Sequence, residues 1–143
     1  MSLRLTPYFV MNGNAQEAIA FYERALGATA LFKQTFGEMP ENPDFPLPES
    51  VKNLVSHAMI RIGESDVMFS DTFPGQEIKS GNQVTICITL GDAEETARVF
   101  NALADGGTVE MPLQETFFSS AYGSLTDKFG IPFQIFTEGK QQP

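Results

Sequence analysis

Two rhythms of hydrophobic and polar positions alternate along this chain, and they come round twice in the same order. In "YFVMNGNAQEAIAFYERALGATALFKQ" a short apolar stretch gives way to apolar residues at helical spacing, namely Ala15, Ala18, Ile19, Tyr22, Ala25 and Leu26. In "ICITLGDAEETARVFNALADGGTVEMPLQ" the same change occurs, with the stripe on Ala93, Ala97, Phe100, Leu103 and Ala104. Asn14 stands before "AQE" and Asp92 before "AEE", so each helix is predicted to start at a capping box, with Glu17 and Glu95 at its third position. Gly27 and the Gly106–Gly107 pair are the predicted stops. Strand-like segments follow each helix: "ATALFKQTF", "LVSHAMIRI" and "DVMFS" after the first, "TVEMPL", "AYGSLT" and "PFQIFT" after the second.

The pattern is therefore βαβββ, written twice, and the expected fold class is α+β. The repeats run over about 1–73 and 82–138, within one domain of 143 residues. Each unit has one helix to cover one face of a four-stranded sheet. The other face is left for the second sheet, a partner chain or a ligand. Four prolines in "GEMPENPDFPLPESVKN" exclude a central strand there and predict a long loop. A second loop, "TFPGQEIKSGN", joins the halves.

Composition narrows the function classes. A hydrophobic share of 42% and an aromatic share of 11% suit a packed core. A net charge of −9 without a basic run argues against binding nucleic acid or an anionic membrane. No apolar run approaches the roughly 18 residues of a membrane span, and "MSLRLTPYF" lacks the apolar core of a signal peptide. The single cysteine, Cys87, cannot close an internal disulfide, so a cytoplasmic location is expected.

The segments "PYFVMNGNAQEAIAFYERALGA", "HAMIRIGESDVMFSD" and "GGTVEMPLQETFFSSAYGSLTDKFGIPFQI" resemble the PhnB-like branch of the vicinal-oxygen-chelate superfamily. That superfamily includes glyoxalase I, bleomycin-resistance proteins and extradiol dioxygenases. The resemblance covers nearly the whole chain. It implies two βαβββ modules forming a cup-shaped mixed sheet, with the helices on the outer face. It also implies a homodimer. In the metal enzymes of the superfamily, His and Glu side chains from both modules hold a divalent cation in the cup.

The resemblance allows each ligand position to be checked. On the opening strand it falls on Pro7, beside Thr6. In the second module it falls within "NQVTICITL", which has no histidine. On the closing strand it falls on Gln134, a neutral amide that binds transition metals weakly. A catalytic zinc needs about three protein ligands. The last strand of the first module offers Asp71, next to the fourth position, and His57 is the only histidine. No metal and no cofactor are expected, although a His57–Asp71 pair helped by Gln134, water or substrate is the alternative.

Strand alternation then assigns faces. Ala58, Ile60 and Ile62 suit the helix side, leaving His57, Met59 and Arg61 for the cup. Val84, Ile86, Ile88 and Leu90 likewise suit the helix side, leaving Thr85, Cys87 and Thr89 for the cup. Gln134 is placed in the cup by the resemblance. Histidine ordinarily titrates near 6.5, which suits a general base, so His57 is the candidate catalytic residue; its plain alternative is a structural histidine. Arg61 suits an anionic ligand group or an ion pair with a nearby carboxylate, the latter being favoured. Cys87 is expected to be a small buried hydrophobe. Phe118 and Tyr122, with Phe117, suit stacking on a planar ligand or packing in the core. Asp127 in "DKFG" suits a turn that binds backbone N–H groups. The candidate ligand-binding set is thus Met59, Arg61, Asp71, Thr85, Cys87, Phe118, Tyr122 and Gln134.

Relatives of this branch have been labelled demethylubiquinone methyltransferases. A common methyltransferase needs a glycine-rich strand-to-helix turn in a parallel sheet, and this chain has neither "GxGxxG" nor that pattern; "GxxxxGK[ST]" and "GxSxG" are missing too. Three functions stay open: a small-molecule binder using His57 as acid or base, a non-catalytic protein that sequesters a drug or metabolite, and a metal-dependent lyase, isomerase or dioxygenase.

Overall fold

The computed structural model describes residues 2–73 and 76–139. Pro74 and Gly75, in the loop expected to join the halves, lie outside the described residues. The chain divides after Lys79 into two compact units.

The first unit contains β1 (Tyr8–Met11), α1 (Ala15–Leu26), β2 (Thr29–Thr35), β3 (Val55–Ile62) and β4 (Ser65–Asp71). The second contains β5 (Ile86–Leu90), α2 (Ala93–Ala104), β6 (Thr108–Gln114), β7 (Tyr122–Thr126) and β8 (Pro132–Thr137). The sheet orders are β1-β4-β3-β2 and β5-β8-β7-β6. In each, the outer opening strand runs parallel to the closing strand and the other neighbours are antiparallel. Both units therefore share one topology, and the α+β class read from the repeat holds. The proline-rich stretch between β2 and β3 forms only single 3₁₀ turns, at Phe36–Glu38 and Glu49–Val51.

In the first unit α1 buries Ala15, Ala18, Ile19, Phe21, Tyr22 and Ala25. Opposite them the sheet supplies Phe9, Ala58, Ile60, Val67 and Phe69, all buried. Phe9, Tyr22 and Phe69 interlock at ring separations of 5.2–6.1 Å. Gly27 ends the helix with φ 67°, and the N–H groups of Gly27 and Ala28 return to Glu23 and Tyr22. That left-handed stop is the one the sequence predicts.

The start of α1 differs from expectation. Asn14 has φ −122° and ψ 27°, its side chain makes no capping hydrogen bond, and its Oδ1 is buried without a partner. The helix N-terminus is instead met by Asp71 at the end of β4. Asp71 Oδ1 accepts from Ala15 N (2.9 Å) and Oδ2 accepts from Val55 N (2.9 Å). The parallel register pairs Met11 with Asp71, which sets the carboxylate beside the first turn of the helix. A negative charge there also suits the positive end of the helix dipole.

In the second unit Asp92 does cap α2, accepting from Glu95 N at 3.0 Å. The buried stripe is Thr96, Val99, Phe100 and Leu103, packed with Leu125, Phe133 and Ile135. It is rotated from the predicted one: Ala93 is exposed and Thr96 is buried. Thr96 can be buried because its hydroxyl reaches Asp92 O (2.8 Å) and Thr137 Oγ1 (2.7 Å). Thr137 ends β8 as Asp71 ends β4, opposite Leu90 instead of Met11. Ser119 completes this neutral junction: its Oγ accepts from Thr137 N (3.1 Å) and lies 2.8 Å from Thr137 O.

Candidate functional site

Each sheet has a face turned away from its own helix, and most of the sequence-predicted site residues lie there. In the first unit the alternation along β3 holds: Ala58 and Ile60 are buried under α1, while His57, Met59 and Arg61 lie on the other face. The register sets Met59 opposite Met68 on β4 and opposite Phe32 on β2, and His57 opposite Gln34.

His57 is half-buried between two aromatic rings. The Tyr8 ring centroid lies 6.1 Å from the imidazole and the Phe32 centroid 6.0 Å. Among the described residues no hydrogen bond or ion pair reaches the imidazole, nor the Tyr8 hydroxyl. Tyr8 and Phe32 remain 46% and 50% exposed. Sequence reading missed both rings. The available signal was parity: Tyr8 stands one position before the helix-facing Phe9, so alternation puts it on the same side as His57.

Arg61 is committed to Asp66. Its Nε donates to Asp66 Oδ1 (2.8 Å) and its Nη2 to Oδ2 (3.3 Å) across the hairpin that joins β3 to β4. The hydrogen bond from Arg61 holds the Asp66 carboxyl below its ordinary range, against some desolvation and with smaller help from the charges of Arg61 and Arg4. The same bond raises the Arg61 guanidinium above its ordinary value. A depressed carboxyl pKa means that this pair contributes above the ordinary carboxylate value and is lost as pH falls through the lowered one.

Asp71 lies on the helix side and is 5% exposed. Both of its oxygens accept backbone N–H groups, so the structure gives it the work of joining α1, β3 and β4.

In the second unit Gln134 is held at both ends. Tyr122 O–H donates to its Oε1 (2.6 Å), and its Nε2 donates to Thr85 Oγ1 (2.8 Å). Three predicted residues are thus one hydrogen-bonded chain. Thr85 lies just before β5, not within it, and Val84, expected on the helix side, is 77% exposed. Cys87 is exposed, which corrects the expectation of a buried hydrophobe. It sits on β5, an edge strand, opposite Gln134. Phe118 stacks edge-on between Phe117 and Tyr122, at 5.3 and 5.2 Å. Phe117 is 70% exposed, so this cluster is not core packing. Asp127 has the structural role expected of it, its Oδ1 accepting from Phe129 N and Ile131 N.

A divalent cation does not fit this donor set. Among the described residues no group of three or more His, Cys, Asp or Glu side chains converges. Asp71 is occupied by backbone N–H groups, and Gln134 is a neutral amide already bound at both ends.

The duplicated βαβββ topology defines a protein of the glyoxalase fold. The fold is shared, at 11% identity and a TM-score of 0.68, with a glyoxylase/bleomycin resistance protein/dioxygenase domain from Frankia sp. EAN1pec, covering 99% of this chain and 96% of that one. More narrowly, the chain belongs to the PhnB-like family described as 3-demethylubiquinone-9 3-methyltransferase, which it matches over residues 3–136. It is 40% identical to protein YjdN of Escherichia coli, over 97% of each chain. The crystal structure of protein PA1353 from Pseudomonas aeruginosa is 35% identical with a TM-score of 0.82, covering 96% of this chain and 98% of that one. A PhnB protein from Bacillus cereus has the same fold at 24% identity and a TM-score of 0.78, covering 94% and 99%. No helix among the described residues is long and apolar enough to cross a membrane.

Proposed function

We propose that this chain is a single glyoxalase-like domain that binds a small molecule on its helix-free sheet faces without a metal. The observation that supports this best is His57: a half-buried imidazole with no hydrogen-bond partner among the described residues, framed by two half-exposed aromatic rings. A polar group that makes no bond within the protein, among apolar neighbours, is what a ligand site supplies for orientation. Met59 belongs to this set, and Thr85, Tyr122 and Gln134 form the polar set of the second unit. Cys87 and Phe118 flank that polar set. Arg61, paired through two bonds with Asp66, and Asp71, buried on the helix side, are left out of it. His57 is the one candidate for acid or base work.

A specific feature favours the non-catalytic reading over turnover. General bases are commonly oriented by a third group, and no carboxylate among the described residues bonds to His57. Sequestration is therefore the second reading, in line with the bleomycin-resistance name carried by the Frankia domain. The methyl-transfer name of the family is not adopted: in each unit only one strand pair is parallel, and no glycine-rich phosphate-type turn joins a strand to a helix.

A metabolite panel screened by thermal shift tests the reading, since a ligand of the folded state raises Tm. A hit should bind His57→Ala at least about tenfold more weakly, roughly 1.4 kcal/mol, while the variant keeps the parent's Tm. Equal binding to both proteins would remove His57 from the site. A homodimer in the cytoplasm completes the proposal; light scattering at micromolar concentration should give twice the monomer mass, and a monomer mass would overturn that part.

A further inference from the structure

We infer that the helix-free face of the first unit takes a planar aromatic molecule that carries no acidic group. This rests on the reading of that face as a binding surface and adds the chemical class of its occupant.

Three rings from three strands stand in a row across the sheet: Tyr8 on β1, His57 on β3 and Phe32 on β2. What sets them apart from the core rings is exposure, since the core separations are alike at 5.2–6.1 Å and the Tyr22–Phe69 pair is tilted by 46°. Phe9, Tyr22 and Phe69 include edge-to-face pairs at 63° and 74° and are buried. The surface rings are tilted by 34° and 45°, and the two outer ones are half exposed. Half-exposed aromatic rings suit offset stacking with a flat π-system. Tyr and Phe each fix few torsions on binding, so the entropic cost is low. Met59, set by register against both Phe32 and Met68, adds polarizable sulfur, which interacts well with aromatic ligands.

Charge excludes an acid. On the strands the cation turned to this face is Arg61, which both Asp66 oxygens already bind, whereas Lys33 on β2 stands opposite the helix-facing Ala58 and donates to Gln16 of α1. Arg4 adds its field to the same carboxylate. An acidic ligand must compete with Asp66 for these guanidinium groups, and the chain as a whole carries −9. What the face offers a ligand's polar atoms is the imidazole of His57 and the hydroxyl of Tyr8.

The chain has one histidine, so the imidazole carbon–proton NMR signals of the full-length protein report on this face alone. Three probes of one shape and different charge would be titrated at pH 7.5: quinoline, N-methylquinolinium and quinoline-4-carboxylate. Quinoline should move the His57 signals upfield, as a ring stacked beside them does, and the carboxylate should bind at least about tenfold more weakly. Tyr8→Leu and Phe32→Leu keep apolar bulk but remove a ring; each should weaken quinoline by about fivefold. Carboxylate binding as tight as quinoline overturns the ligand class and leaves the reading of the face intact. Leucine variants that bind quinoline as the parent does overturn the stacking in the same way. If none of the probes moves the His57 signals, both the inference and the reading beneath it fall.

Discussion

Asp71→Ala should cost about 4 kcal/mol of folding stability, since two hydrogen bonds to a charged acceptor are lost and their N–H donors stay buried. For a chain of this size that lowers Tm by on the order of 10 °C. Ala15 N opens α1 and Val55 N opens β3, and both donate to this one carboxylate at 2.9 Å. The intended local cap, Asn14, makes no capping bond and offers no substitute. Asp71→Asn distinguishes hydrogen bonding from shape. An amide has one acceptor oxygen, so one N–H is satisfied and the other faces an NH2 group, and a loss of roughly 2 kcal/mol is expected. Urea unfolding followed by circular dichroism would measure both variants. An alanine variant within about 1 kcal/mol of the parent would show that water replaces the carboxylate at no great cost.

Gly107→Ala should destabilise the second unit by about 3 kcal/mol, through overpacking against atoms that cannot move. An added Cβ would collide with Thr126 O and come within 2.9 Å of Asp127 Cα and 3.1 Å of Asp127 C. All three are backbone atoms at the head of a turn whose N–H groups Asp127 already binds. No rotamer change relieves that contact. Gly91→Ala is the control: nothing lies within 4 Å of its added Cβ and its φ is not positive, so stability should stay within about 0.5 kcal/mol. The comparison is read from urea midpoints at unchanged slope. Equal midpoints for the two variants would refute the close approach of α2's end to β7's end.

The repeat was legible because period and punctuation agree at each step: strand, cap, helical stripe, glycine, strand. The faces of β3 were legible from alternation, and an ion pair for Arg61 was one of the two readings weighed, for which the two-residue hairpin supplies Asp66 as the partner. What sequence could not show was set by distant partners. The true acceptor for α1 lies 56 residues from Ala15, and a plausible local cap stood in its place. Thr96 reads as a polar residue beside the stripe until Thr137, 41 residues on, supplies its partner. Cys87 was misjudged because its type favours burial, whereas it shares with Thr89 the exposed face of β5. His57 was found as a residue type; Tyr8 and Phe32, which give it a setting, became visible only once strand order put β1 and β2 on either side of β4 and β3.

The exposed position of Cys87 has a practical consequence. A maleimide carrying a nitroxide or a fluorophore would attach at one defined place, on the strand that pairs with Gln134, with no engineered residue. Label mobility there would register any occupant that disturbs the Tyr122–Gln134–Thr85 chain. The same thiol would let two molecules couple covalently in air, so preparations of the native sequence call for a reductant before their mass is measured.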